Sequence, residues 1–144
     1  MTTKPPAISI EQARELGPLF APWVQDLDLQ VETVERGFVR LRLPKNPRLT
    51  RTGGIISGQA MMAVADTAMV YAIKTVLEIE ADIATVQQST SFFRGAAETD
   101  LICEVTVTKE GRSMMFGDCT MYADGQPDRP VVQATLVYAV IPRR

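Results

Sequence analysis

Between Arg51 and Lys74 a glycine-rich loop runs into a helix-length stretch that is apolar on almost every side and carries a single carboxylate, Asp66. A helix without a polar face has to be covered, so this segment sets the fold: the rest of the chain must wrap it. A carboxylate in such a helix needs hydrogen-bond donors, a cleft or a function. From Ser57 or Gly58 to about Leu77 the helix is roughly 30 Å long at about 1.5 Å per residue, the longest predicted element.

The remaining sequence supplies strands for the cover. Apolar and polar residues alternate from Leu27 to Glu35 and from Phe38 to Leu43, with Val39, Leu41 and Leu43 set against Arg40 and Arg42. Glu35-Arg36-Gly37 reads as the turn between them, and Pro44 and Pro47 end the second run. Beyond the acidic turn Glu78 to Asp82 come a strand from Thr85 to Phe93 and a hairpin, Asp100 to Lys109 and Ser113 to Tyr122, about Glu110-Gly111-Arg112. Val131 to Ile141 forms the last strand. Near the start, Ser9 and Gln12 have capping-box spacing, predicting a short helix over about 9–17 stopped by Gly17-Pro18. Leu19, Phe20 and Trp23 are expected to pack it down. Strands grouped together, rather than alternating with helices, predict an α+β fold with an antiparallel sheet covering one helix, not a doubly wound nucleotide fold. The 144 residues suit one domain, 1–144, with its core at about 25–141.

Histidine is absent from the chain. That removes Ser-His-Asp and Cys-His pairs, His-ligated zinc and a His general base, so chemistry here relies on carboxylates, hydroxyls, amides and backbone dipoles. The two cysteines, Cys103 and Cys119, lack CxxC spacing and read as core thiols. No metal site and no cofactor is expected. A net charge of -2 gives no general attraction for nucleic acid or an anionic membrane. Met1-Thr-Thr-Lys-Pro-Pro leads into sequence with no continuous apolar run, so neither leader nor membrane span is apparent, and a cytoplasmic protein is expected. The glycines form neither GxGxxG nor a GK[ST] phosphate loop.

Asp66 sits among Met62, Ala63, Met69 and Val70, with Gln59 as the other polar residue on its side. Either it fixes a neighbouring loop by accepting backbone hydrogen bonds, or it carries chemistry. At the helix start, free N–H groups and the positive end of the helix dipole could polarise a carbonyl at Gly58 and Gln59, where glycine also permits close approach; alternatively Gly58 serves only the turn. Gly58 and Asp66 are about 12 Å apart along the axis, too far to act on one carbonyl. If both take part they belong to different protomers, and an antiparallel two-fold pairing of helices would set Gly58 of one beside Asp66 of the other.

The segment Ser57-Gly58-Gln59-Ala60-Met61-Met62-Ala63-Val64-Ala65-Asp66-Thr67-Ala68 resembles the hotdog-fold acyl-CoA thioesterases, specifically the PaaI-like group of the 4-hydroxybenzoyl-CoA thioesterase superfamily. The family pattern there is His-Gly-Gly followed by a Leu-Ala-Asp-x-Ala helix. Thr85 to Ala96, the Gly111-Arg112 turn and Gln133-Ala-Thr also fit, so the resemblance covers roughly residues 25 to 141. It implies a sheet wrapped around one central helix and hydrolysis of an acyl-CoA, aryl or short to medium chain, to free acid and CoA. It implies Asp66 as general base or nucleophile, the Gly58 N–H as carbonyl polariser, and Thr85 as a hydroxyl that positions water or the carboxylate. Arg94 and Arg112 fall where the family approaches the nucleotide end of CoA; as residues alone they are equally ordinary turn charges. Gln59 belongs to the same substrate-facing helix start. Ser57 stands where the family has histidine, and Gln59 where it has a second glycine; Ser57 could substitute by a hydrogen bond. The resemblance also implies homo-oligomers, dimers or dimers of dimers (homotetramers), with sites at the interface. A non-catalytic acyl-CoA-binding hotdog domain is the alternative function. Met61, Met62, Met69, Tyr71, Phe92 and Phe93 could shape an acyl pocket or be plain core.

Overall fold

A computed structural model describes residues 4–142. Three helices, α1 (Ile10–Arg14), α2 (Pro22–Gln25) and α3 (Gly58–Lys74), accompany six strands: β1 (Gln30–Glu35), β2 (Phe38–Leu43), β3 (Asp82–Phe92), β4 (Leu101–Glu110), β5 (Met114–Ala123) and β6 (Pro130–Ile141). The strands form one sheet in the order β1-β2-β4-β5-β6-β3, every neighbouring pair antiparallel. The α+β arrangement expected from the strand grouping is the one observed.

Period-two alternation decides which residues meet α3. In β2 Val39, Leu41 and Leu43 are fully buried while Arg40 and Arg42 turn outward. Val105, Met115, Met121 and Leu136 join them from the neighbouring strands, against Val64, Ala65, Ala68, Met69 and Ile73 of α3. One small residue admits the helix: a Cβ at Gly117 would lie 2.5 Å from Met69 Sδ. Cys103 and Cys119 are buried free thiols, as expected, with their sulfurs 3.5 Å apart.

The N-terminal segment differs from expectation. The Ser9 capping box is present in full, but α1 ends at Arg14, and the chain breaks into a 3₁₀ turn at Gly17–Leu19 and then α2. Pro18 and Pro22 each open a new turn, so the segment bends rather than presenting one apolar stripe. Phe20 does pack, its ring stacked 5.5 Å from that of Tyr71, whereas Leu19 and Trp23 are 70% and 62% exposed.

The long helix stops at Lys74, three residues short of the predicted end. The Thr75 hydroxyl donates to the Ala72 carbonyl at 2.6 Å and accepts the Gly37 N–H at 2.8 Å, while the Lys74 ammonium donates to the carbonyls of Ile79 and Ala81. Those side chains terminate the helix and tie it to the β1–β2 turn. Nor is α3 covered all round. Gln59, Met62, Ala63, Asp66 and Val70 form an open or half-open stripe at helical spacing. Beside it β3 is a sheet edge, with Val86 and Phe92 exposed and Phe93 just beyond them.

Candidate active site

The site begins at a loop that holds the start of α3. Gly53 and Gly54 take positive φ (96° and 76°), so the glycine pair makes the turn, and Arg51 N–H bonds the Ile55 carbonyl across it at 2.8 Å. Ile56 N–H reaches the Ala96 carbonyl (2.8 Å) and Ser57 N–H the Leu49 carbonyl (2.9 Å), which aims the chain into the helix. Ser57 is the N-cap: its Oγ accepts the Ala60 N–H at 3.2 Å and its carbonyl the Met61 N–H at 3.2 Å. The Gly58 and Gln59 N–H groups are left outside any hydrogen bond among the described residues, at the positive end of a 17-residue helix. The ring of Phe92 lies 3.5 Å from where a Gly58 Cβ would sit.

Asp66 lies two turns further on, half-buried on the open stripe. Thr85 Oγ1 donates to its Oδ1 at 2.9 Å, and the Tyr138 hydroxyl lies 2.5 Å from the same oxygen and 2.8 Å from the Asp66 carbonyl oxygen. Among the described residues both donors to the carboxylate are side-chain hydroxyls of the sheet, rather than backbone N–H groups of a neighbouring loop. Burial, and then the contact with Asp66, push the Tyr138 phenol well above its ordinary value, which keeps it a proton donor.

A bulge in β3 makes this geometry. Thr85 pairs with Tyr138, but the next paired residue is Gln87 with Val137, leaving Val86 extra. Thr85 touches Asp66, and three residues later Gln88 donates to the Met62 carbonyl at 3.2 Å, so both reach α3. Strict alternation would put residues three apart on opposite faces; the inserted Val86 restores them to one.

The structure brings Asp66 and Thr85 together, and separately Ser57, Gly58 and Gln59; it does not unite the two groups in one protomer. Arg94 follows β3 at the Gly58 end, next to Gly95, which packs on Ile55. Arg112 occupies the β4–β5 turn at the opposite end, where Val140 N–H bonds the Ser113 carbonyl. Of the residues considered for an acyl pocket, Met61, Met69 and Tyr71 are core, while Met62, Phe92 and Phe93 are exposed. Tyr138 escaped the sequence reading, although it is the one residue with a polar tip among the inward positions of β6, Val132, Ala134, Leu136 and Tyr138.

A sheet wrapped on one helix, with an uncapped pair of N–H groups at the helix start and a hydroxyl-held carboxylate two turns along, defines a hotdog-fold thioesterase architecture. The chain belongs to the thioesterase superfamily, whose profile matches residues 53–129. It is similar to a provisionally named esterase of Saccharolobus solfataricus, 29% identical over 96 residues, a region spanning 67% of this chain and 63% of that relative. Among solved structures it is similar to a provisionally named thioesterase of Silicibacter sp. TM1040, at 26% identity and a TM-score of 0.82 over 99% of this chain and 96% of the other. It also shares its fold with the Escherichia coli PaaI protein of the phenylacetic acid degradation operon, at 16% identity and a TM-score of 0.79 over 92% of this chain and 94% of that one. Among the described residues no helix is long and apolar enough to cross a membrane.

Proposed function

We propose that the protein hydrolyses an acyl-CoA thioester to free acid and CoA, in a homo-oligomer whose sites are shared between protomers. The observation that carries this is the separation of two complementary halves on α3. Gly58 and Gln59 offer free N–H groups suited to an oxyanion, and Asp66 offers a carboxylate set by Thr85 and Tyr138, about 12 Å away along the axis. A second copy lying antiparallel across the open stripe of α3 and the edge strand β3 brings the halves together twice.

In that arrangement the thioester carbonyl takes hydrogen bonds from Gly58 and Gln59 of one protomer. The Asp66 carboxylate of the other removes a proton from water as the water oxygen adds to the carbonyl carbon, or adds to that carbon itself to form an acyl-aspartyl anhydride that water then hydrolyses. The oxygen-centred charge rests on the N–H pair until the C–S bond breaks and CoA leaves as its thiolate, which takes up the proton released by water. Arg94 of one protomer and Arg112 of the other, at opposite ends of each sheet, converge under the same two-fold operation and suit the phosphates of CoA. No cofactor beyond the CoA of the substrate enters these steps.

Replacing Asp66 with Asn or Ala tests the assignment on a panel of acyl-CoA esters. Loss of kcat by at least about a hundredfold with either variant is expected. Variants that match wild type defeat it. Ser57, where the superfamily pattern has histidine, favours one second reading, an acyl-CoA-binding domain without turnover. Calorimetric binding of acyl-CoA by a wild-type protein that hydrolyses none of the panel would establish that reading instead. Sedimentation of a stable monomer would defeat the shared site.

A further inference from the structure

Tyr71 lies on α3 five positions after Asp66, about 140° round the helix, so it faces away from the open stripe and toward the N-terminal segment. It is only 4% exposed, yet its hydroxyl makes no hydrogen bond among the described residues, whereas the buried Tyr138 hydroxyl makes two. Buried hydroxyls are ordinarily paired, so one left over marks a place where something else completes the bond.

Two recesses meet at this residue. The larger, of about 580 Å³, is bounded by Arg14, Gln30, Val31 and Glu32, and the smaller, of about 190 Å³, by Pro18, Phe20, Val24 and Asp28. Gly17, Leu29 and Tyr71 line both. The segment that roofs them is held at several points. Ala7 N–H bonds the Thr75 carbonyl at 2.6 Å, the capping box at Ser9 closes α1, and Arg14 Nη2 donates to the Val31 carbonyl at 3.2 Å. Phe20 is stacked on the Tyr71 ring. The space beneath is therefore built into the fold and not left by a loose end.

Its two parts differ in chemistry. Arg14 spends one N–H on Val31, and among the described residues no carboxylate lies within ion-pair distance of it. Glu32, the carboxylate of the larger recess, is taken by Arg42 at 2.6 Å. A guanidinium with donors to spare and a phenol thus face the same space. Burial pushes the Tyr71 phenol above its ordinary value, which keeps it a proton donor at neutral pH. In the smaller recess Pro18, Phe20, Val24 and Leu29 are apolar, and the Thr67 hydroxyl is already committed to the Ala63 carbonyl at 2.7 Å. Asp28, exposed at its rim, opposes an anion there.

We propose that this recess binds a small apolar monocarboxylate, its carboxylate between Arg14 and Tyr71 and its apolar tail against Phe20 and Val24. Guanidinium and hydroxyl donors suit a carboxylate, and a few placed polar groups on an otherwise apolar wall are the usual composition of a ligand site. The site lies on another flank of α3 from Asp66 and does not depend on the thioesterase reading.

Calorimetric titration of the wild-type protein with octanoate is expected to show a saturable site. 1-Octanol, octylamine and suberate, which carries a second carboxylate, should each bind at least about tenfold more weakly. Tyr71→Phe, which keeps the ring on Phe20, and Arg14→Gln, on exposed α1, should each weaken octanoate about tenfold or more, the loss for one hydrogen bond to a charged group. Asp66→Asn should leave its affinity unchanged. The proposal is overturned if octanoate does not bind, which would leave water as the partner of Tyr71. It is overturned equally if either the Tyr71 or the Arg14 variant keeps wild-type affinity, if any of the three comparison ligands matches octanoate, or if Asp66→Asn weakens binding as much as Tyr71→Phe does.

Discussion

The Tyr138 hydroxyl lies 2.5 Å from Asp66 Oδ1, and Tyr138 is the cross-strand partner of Thr85, whose own hydroxyl meets the same carboxylate oxygen at 2.9 Å. One cross-strand pair, Thr85 on the edge strand β3 and Tyr138 on its neighbour β6, therefore sets one carboxylate on the helix. A hydrogen bond to a charged group contributes about 1.5–3 kcal/mol. Tyr138→Phe, which keeps the ring in its buried site, is expected to fold normally and to lower kcat roughly tenfold to a hundredfold. Combining it with Thr85→Ala should give less than the product of the two losses, since the hydroxyls act on one oxygen. Independent, fully multiplicative effects in steady-state kinetics would show that the two donors do not share a role.

The bulge makes a sharper demand than either donor. Deleting Val86 removes the residue that returns Gln88 to the side of Thr85, so one of the two must turn away from α3. The deletion is expected to abolish hydrolysis while retaining a folded sheet, because β3 is an edge strand paired on one side only. Val86→Ala, with the bulge intact, should keep activity. Circular dichroism and activity together check this; a deletion variant of wild-type kcat would mean that the parity of β3 does not matter.

How much of this was readable beforehand follows a physical division. The alternation Val39, Leu41, Leu43 and the apolar run after Ser57 report burial directly, so the strands and the central helix were legible. The capping box at Ser9 was legible for the same reason: both of its bonds are local. Asp66 and Gly58 stood out because a carboxylate in an apolar helix and a glycine at its start are chemical exceptions to their surroundings. Tyr138 did not, since its meeting with Asp66 spans 72 residues and depends on strand order and on a one-residue bulge. Apolarity alone predicts that Trp23 packs, but Pro18 and Pro22 break the segment into separate turns and the indole is left exposed.

Close packing of the helix on the sheet turns on a pair that sequence pattern would not select. A methyl group at Gly117 would meet Met69 Sδ at 2.5 Å and the Thr106 carbonyl oxygen at 3.2 Å. Gly117→Ala should therefore destabilise the fold by about 1–3 kcal/mol, the range for overpacking. Most of the clash is with the flexible end of one side chain, so Met69→Ala, destabilising alone through its cavity, should cost less in the Gly117→Ala background. Denaturant titrations of the four proteins measure that coupling; strictly additive losses would place the strain on the Thr106 backbone instead.

At the far end of β2, Arg42 bonds Glu32 at 2.6 Å, Asp124 at 2.8 Å and Asp100 at 2.9 Å, joining β1 to the start of β4 and the end of β5. The Lys45 backbone N–H, followed by Arg42, holds the Asp100 carboxyl below its ordinary value of 3.8, and Arg42 does the same for Asp124. A carboxyl depressed in the folded state stabilises the fold above its unfolded value, and the effect is lost as pH falls through the lowered folded value. Melting temperature should accordingly drop below about pH 3.8 in the wild type. Arg42→Met should melt lower at pH 7, and the gap between the two proteins should narrow as the pH is taken below that point. These groups are partly exposed to solvent, so the gap at pH 7 should also shrink in about 1 M salt, where the screening length falls to about 3 Å. A gap that is constant with both pH and salt would mean that Arg42 acts through packing of its aliphatic stem on the sheet, not through its charge.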